Sequence, residues 1–296
     1  MQFNLQHLRV FCAVIEHGGF SRAAKSLHIS QPAISKTVRE LEVHVGLPLL
    51  ERGSRNVRPT EAGRALHDRA RAIFVLEREA GEEMQAQKGL ERGTLRIGAS
   101  TTIATYWLPP MLAAFAQSHP GVMLHLTSAN TRDIARLLLE YELDVALVEG
   151  PVEHPRLQSS LWHDDELVLV SAPSHPLAAR KRLGKNDLQN VDMVVREPGS
   201  GTRAVTETAL REAGIHWRAV LEAGSTEAIK QTVAAGLGVA VVSRVAALDQ
   251  IALGRLKVLC VCGLNLQRPL HRLALKDRPV SAAAQRLIAL LQASLF

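Results

Sequence analysis

Four side chains near the start of the chain, Gln31, Ser35, Lys36 and Arg39, have the types and spacing to read nucleic acid. Short polar groups approach base edges, and longer basic groups reach bases or phosphates. Among them Ile34, Val38, Leu41 and Val45 recur at steps of four, three and four. That stripe buries one side of a helix and leaves the polar set on the other. A second group gathers hydroxyls, glycines and arginines. Ser100-Thr101-Thr102, the run Arg196-Glu197-Pro198-Gly199-Ser200-Gly201-Thr202-Arg203, and Gly224-Ser225-Thr226 each follow an apolar run and open a helical pattern. Backbone N–H groups at a helix start, hydroxyls and an arginine together suit a small anion: a carboxylate, a phosphate or a sulfite-like group. Ser128 and Glu149, at the ends of two further apolar runs, join this candidate set. Ordinary helix capping accounts for any one of these loops; three in corresponding places favour a ligand. Catalytic chemistry has no comparable signature. There is no Gly-x-Ser-x-Gly elbow, phosphate-loop lysine motif or zinc signature, and Cys260-Val261-Cys262 lacks a matching Cys/His set. No catalytic residue, metal or resident cofactor is expected.

The elements that must carry the first set are legible in order. Ser21 is placed to cap a helix containing Ala23, Ala24 and Leu27, with a break at His28-Ile29, and Ser21, Ser30 and Pro32 are expected among the DNA-binding residues. Ser30 caps the next helix, with Gln31 and Pro32 in its first turn, where the missing N–H of proline costs nothing, and Gly46 ends it. Glu51 to Arg58 then forms a tight hairpin with three arginines, Arg52 and Arg55 among them, able to lie along the backbone or enter a minor groove. Asn4 to His17 supplies a supporting helix with Leu5, Leu8, Phe11, Cys12 and Ile15 inward. A small helical bundle with a solvated charged face is the competing reading, and it leaves the basic hairpin unexplained.

The stretch SLHISQPAISKTVRELEVHVGLPLLERGSRNVRPTEAG resembles the DNA-binding signature of the LysR-type transcriptional regulators, and the rest of the chain can be laid on that family's plan. The resemblance implies a winged helix-turn-helix domain, a linker helix that pairs in a homodimer or homotetramer, and an effector domain like the type II periplasmic binding proteins. It implies double-stranded DNA, a small-molecule effector and RNA polymerase as partners. The Arg196–Arg203 run is similar to a branch of the family that controls carbon fixation and sulfur-oxyanion metabolism.

From Thr60, a good N-cap, to about Leu90 the pattern is one long helix with Leu66, Ala70, Ile73, Ala80 and Met84 on a single side. Such a side asks for a partner helix; a single solvent-bridging helix is the alternative. From Thr94 onward, β-type runs alternate with helical patterns, which implies parallel β-α-β units and a doubly wound sheet. Strands are expected at 95–98, 122–127, 143–148, 167–170, 193–195, 219–223, 238–242 and 270–275. The last returns to the first set, giving two α/β subdomains joined by crossing strands. His163-Asp164-Asp165 is expected in a loop, and Ser243-Arg244 at another strand end. The expected domains are 1–59 for DNA binding, 60–91 for the linker and 92–296 for the effector domain. Within the last, one subdomain takes about 92–165 plus 268–296 and the other about 166–267.

Charge agrees with this layout. The chain of 296 residues carries a net +6, and residues 1–60 hold eight Lys/Arg against four Asp/Glu. The excess basic charge therefore sits on the proposed reader and favours an anionic partner. Three cysteines argue against a disulfide framework, and there is neither a membrane-length apolar run nor a signal-peptide layout, so a cytoplasmic, soluble protein is expected. A solute-binding receptor whose first module is only structural would explain residues 94–296 but not residues 1–60.

Overall fold

The computed structural model describes residues 2–51, 57–87, 93–150 and 152–293. The chain divides into two compact units, Met1–Met84 and Gln85–Phe296.

The first unit packs α1 (Leu5–Glu16), α2 (Phe20–Leu27), α3 (Gln31–Val45) and the first turns of α4 (Glu61–Gln87) around one core. Asn4 caps α1 by accepting from the Gln6 N–H at 2.8 Å. Leu8, Phe11 and Cys12 are buried, whereas Leu5, expected inward, is 38 % exposed. The sequence also misplaces the start of α2. Gly19 is its N-cap and Phe20 its first residue, so Ser21 lies inside the first turn, exposed, and makes no capping bond. Its side chain stands two residues past the capping position, too late to meet the free N–H groups of that turn. His28 leaves α2 in the left-handed region at φ 54°, Ser30 caps α3 by accepting from the Ala33 N–H at 3.4 Å, and Gly46 closes α3 at φ 75°. Thr60 caps α4 through the Gly63 N–H at 3.0 Å while donating to the Pro48 carbonyl at 2.8 Å. Gly63 is required there, since a Cβ would stand 2.0 Å from the Leu49 carbonyl.

The expected single stripe on α4 divides in two. Leu66 and Ala70 pack with Phe74 onto the α1–α3 core. Ile73, Leu76 and Met84 remain exposed. Polar contacts tie the first half to α1: Arg9 pairs with Glu77 and stacks over Phe74 at 4.8 Å, and His67 approaches Glu16 at 3.8 Å.

The second unit has its strands in the order β2 (Val122–Ala129), β1 (Gly93–Ser100), β3 (Val145–Glu149), β9 (Gln267–Leu275), β4 (Leu157–Ser171), β7 (Val239–Ser243), β5 (Val191–Arg196) and β6 (Trp217–Ala223). In one lobe, β1 runs parallel to β2 and β3. In the other, β5 runs parallel to β6 and β7. Helices α5 (Leu108–Ser118), α6 (Thr131–Leu139), α7 (Gly201–Glu212), α8 (Thr226–Ala234), α9 (Arg244–Ala252) and α10 (Ala282–Ala293) cover the faces. Two long strands cross between the lobes. The first half of β4 pairs antiparallel with β9, and its last residues pair with β7; a short β8 (Lys257–Val258) also pairs with β4. β9 closes onto β3 in the first lobe. Each lobe has an apolar core on both faces of its sheet.

Two local expectations change. His163-Asp164-Asp165 lies in β4, next to a register shift, and not in a loop. Three polar residues read as a turn, but Trp162 is buried beside them, donating to the Leu291 carbonyl at 3.2 Å, and Asp165 is buried against an arginine. The segment after β1 is not one regular helix: Ile103–Trp107 forms a π-turn before α5. Pro109 and Pro110 cannot donate to the carbonyls four residues back, and the Leu108 N–H bonds instead to Ile103, five residues back.

Candidate DNA-reading head and effector cleft

In the first unit α3 turns Ile34, Val38 and Leu41 into the core and leaves Gln31, Pro32, Lys36 and Arg39 exposed, with Ser35 half-buried between them. Ser30, at the cap, is exposed as well. Lys36 reaches Glu40 at 3.8 Å, so one cation of the face is shared with an acid on the same helix. The Glu42 carboxylate accepts from the Leu49 and Leu50 N–H groups at 2.8 and 3.2 Å, fastening the start of the hairpin to α3. The hairpin's flanks pair through Leu50 and Pro59, and the Glu51 N–H donates to the Arg58 carbonyl at 2.9 Å. Arg52 and Arg55 lie outside the described residues. The Leu41-Glu42 pair belongs to the motif that carries the resemblance, but the bracing role of Glu42 was not legible in it.

In the second unit the strand ends converge between the lobes. Glu149, at the end of β3, is 2 % exposed. Its Oε2 accepts from the Thr202 hydroxyl at 2.8 Å and pairs with Arg268 at 2.7 Å. Its Oε1 has no partner in hydrogen-bond geometry, though the Thr102 hydroxyl lies near enough to favour the charged form. Arg268, fully buried, also pairs with Asp165 at 2.6 Å and donates to the Thr202 hydroxyl at 2.6 Å, and Ser243 donates to Asp165 at 2.9 Å. Burial alone would raise the Glu149 carboxyl; Arg268, the Thr102 and Thr202 hydroxyls and Arg196 outweigh it and hold the carboxyl below its ordinary range. Ser100, at the end of β1, is buried with a hydroxyl that has no hydrogen-bond partner.

Other members of the candidate set take different places. Arg196 is buried at the end of β5, forked onto the Glu197 carboxylate at 2.8 and 2.9 Å, and donates to Thr226 at 3.2 Å and across the lobes to Thr101 at 3.4 Å. Ser200 and Ser225 cap α7 and α8. Gly199, at φ 96°, passes under the Arg132 side chain, and its carbonyl accepts from the Arg132 N–H at 3.2 Å. Gly201 packs onto β3 so closely that a Cβ would stand 2.0 Å from the Glu149 carbonyl. Arg203 takes no part in the Glu149–Arg268 group. Its guanidinium bonds to Glu207 and Glu222, both at 2.7 Å, and to the Arg196 carbonyl at 2.9 Å, because helical spacing puts Glu207 one turn away. Ser128 is exposed on β2, in register with Ala99 of β1. Along α6 and α7 an interlobe groove of about 1060 Å³ is lined by Arg132, Arg136, Val152, Pro198, Ser200 and Val205. Arg132 is exposed and, among the described residues, its guanidinium has no ion pair. At the opposite side the Lys230 ammonium donates to Tyr106 at 3.0 Å, closing the lobes there.

Residues 5–64 match the bacterial regulatory helix-turn-helix protein, lysR family, and residues 88–295 match the LysR substrate binding domain. The chain belongs to the LysR family. It is a DNA-binding transcriptional regulator, not an enzyme. The RuBisCO operon transcriptional regulator of Allochromatium vinosum is 36 % identical over 284 residues, covering 96 % of this chain and 94 % of the relative. The HTH-type transcriptional regulator CbbR of Rhodospirillum rubrum is 35 % identical over 291 residues, covering 98 % and 96 %. Among solved structures, the Synechocystis PCC6803 CcmR regulatory domain in complex with 2-PG is 30 % identical with a TM-score of 0.64, covering 69 % of this chain and 97 % of that one. Full-length CbnR complexed with its target DNA is 25 % identical with a TM-score of 0.70, covering 99 % and 100 %. The LysR plan thus accounts for both units: a helix-turn-helix followed by a two-lobed α/β effector domain.

The sequence did not reveal Asp165, Arg268, Lys230 or Arg132 as parts of the interlobe network. Arg268 gave no separate signal, because its stretch Gln267-Arg268-Pro269-Leu270-His271-Arg272 mixes polar and apolar residues. No described helix is long and apolar enough to cross a membrane, and no described group of three or more His, Cys, Asp or Glu could hold a metal.

Proposed function

We propose that this LysR regulator reads duplex DNA through Gln31, Ser35, Lys36 and Arg39 of α3, with Ser30 and Pro32 setting the helix start and Arg52 and Arg55 contacting the backbone. The observation that carries the reading is the division of α3 into a fully buried Ile34/Val38/Leu41 side and a polar side presented to solvent. The domains are 1–59, 60–91 and 92–296, the last split near 165 and 268. The regulator acts in the cytoplasm as a dimer or tetramer, paired through the exposed Ile73, Leu76 and Met84 of α4, and it engages RNA polymerase at its promoters.

The effector is a small anionic metabolite held between the lobes. Support comes from Arg132 and the starts of α6 and α7 in the groove, and from Arg196 with Thr101 and Thr226 on the other side. An arriving anion would displace the half-buried Glu197 carboxylate from Arg196 or neutralise Arg132. Relatives named for the RuBisCO operon, and a similar domain complexed with 2-PG, favour an acidic metabolite of carbon metabolism. A ligand shifts the lobes only by its differential affinity for two arrangements. Titration calorimetry of the full chain with carboxylates and phosphorylated sugars tests this. Binding that weakens at least roughly tenfold in Arg132→Ala or Arg196→Ala is expected, the order of one charge-assisted hydrogen bond. Unchanged affinity in both places the anion elsewhere.

A further inference from the structure

The deep interlobe cradle has the chemistry of an oxyanion receptor. It offers the Thr102 hydroxyl on the first lobe, the Thr202 hydroxyl from the second, and one Arg268 guanidinium edge. Its occupant is the chain's own Glu149. We infer that Glu149 is a built-in ligand: its carboxylate fills the cradle, excludes external anions from it and bridges the lobes through Thr202. The effector's anion is thereby kept out of the cradle itself, and the inference concerns the resting protein and holds whichever of Arg132 or Arg196 the metabolite meets.

Three observations carry it. The carboxylate is 2 % exposed and reaches across the lobes to Thr202 at 2.8 Å. Arg268, fully buried, already balances two carboxylates, Glu149 at 2.7 Å and Asp165 at 2.6 Å. A third anion there would face uncompensated repulsion in a desolvated site. Finally, Gly201 admits the start of α7 against the Glu149 carbonyl, a contact any Cβ would break, so the backbone too is shaped around this residue. If Glu149 is shortened, Arg268 and Asp165 remain a balanced pair, and the vacated space keeps its hydroxyl donors for a small carboxylate.

The test uses the full chain as Glu149→Ala, Glu149→Gln and wild type, melted in sodium acetate, sodium formate or sodium chloride at equal ionic strength. Acetate or formate should raise the Tm of Glu149→Ala by about 3 °C over chloride at roughly tenfold excess over its Kd. Wild type and Glu149→Gln, whose cradles remain filled, should show no such difference. Adding Thr202→Val to Glu149→Ala should abolish the shift. Glu149→Ser carries the same test if the alanine protein does not fold. The inference is overturned if neither small variant distinguishes carboxylate from chloride, if wild type shifts equally, or if the response survives Thr202→Val undiminished.

Discussion

Glu149 and Cys12 show how burial sets single groups in this regulator. The Glu149 carboxyl is depressed, so its contribution to stability is present above the ordinary carboxylate range and is lost as pH falls through the lower folded value. Thermal melts taken from about pH 6 down to about pH 3 should therefore fall more steeply for wild type than for Glu149→Gln below the ordinary carboxylate range, since the glutamine cannot titrate; parallel curves down to the acid end would mean that the carboxyl is not charged in the fold. Cys12 is the opposite case: burial first, then Glu16, pushes its thiol up to about 12. Ellman's reagent at neutral pH should label Cys260 and Cys262, both exposed, and reach Cys12 only on unfolding. Labelling of a third thiol in the native chain would contradict the packing of α1. At this scale the sequence showed residue types but not directions. Arg203 looked like an anion ligand because glycines and hydroxyls surround it, yet Glu207, four residues on, captures it. Asp165 looked like part of a turn because its partner Arg268 lies 103 positions away.

Among the elements, α3 and α4 were the most legible, since capping side chains and a period of three to four are local signals. What locality cannot show is which apolar residue meets which neighbour. Leu66, Ala70 and Phe74 of α4 serve the core, while Ile73, Leu76 and Met84 stay exposed. Ile73→Asp should accordingly leave the monomer's fold intact and lower the mass of the oligomer in light scattering, because a charge in an apolar seam lacks a partner. An unchanged mass would mean that assembly runs through other surfaces. At the start of α7, Gly201→Ala forces a Cβ onto the Glu149 carbonyl. A loss of about 1–3 kcal/mol in urea denaturation is expected, in line with overpacking of a tight contact. An unaltered midpoint would show that α7 and β3 part easily.

For the whole molecule, alternation of strands and helices announced two doubly wound lobes, and the last strand's return to the first set was legible. The interlobe chemistry was not, because it is assembled from β3, β4, β7, β9 and α7, elements brought together only by the crossing strands. The account's central claim is that α3 reads DNA. It is tested most directly by selecting a preferred duplex from a randomised library and measuring anisotropy-based Kd values for wild type, Gln31→Ala and Arg39→Ala on that duplex and on random DNA. Each variant should lose about 1–3 kcal/mol on the selected duplex while keeping the wild-type melting temperature. Wild-type affinity of both variants for both DNAs would contradict the assignment of α3 as the reading helix.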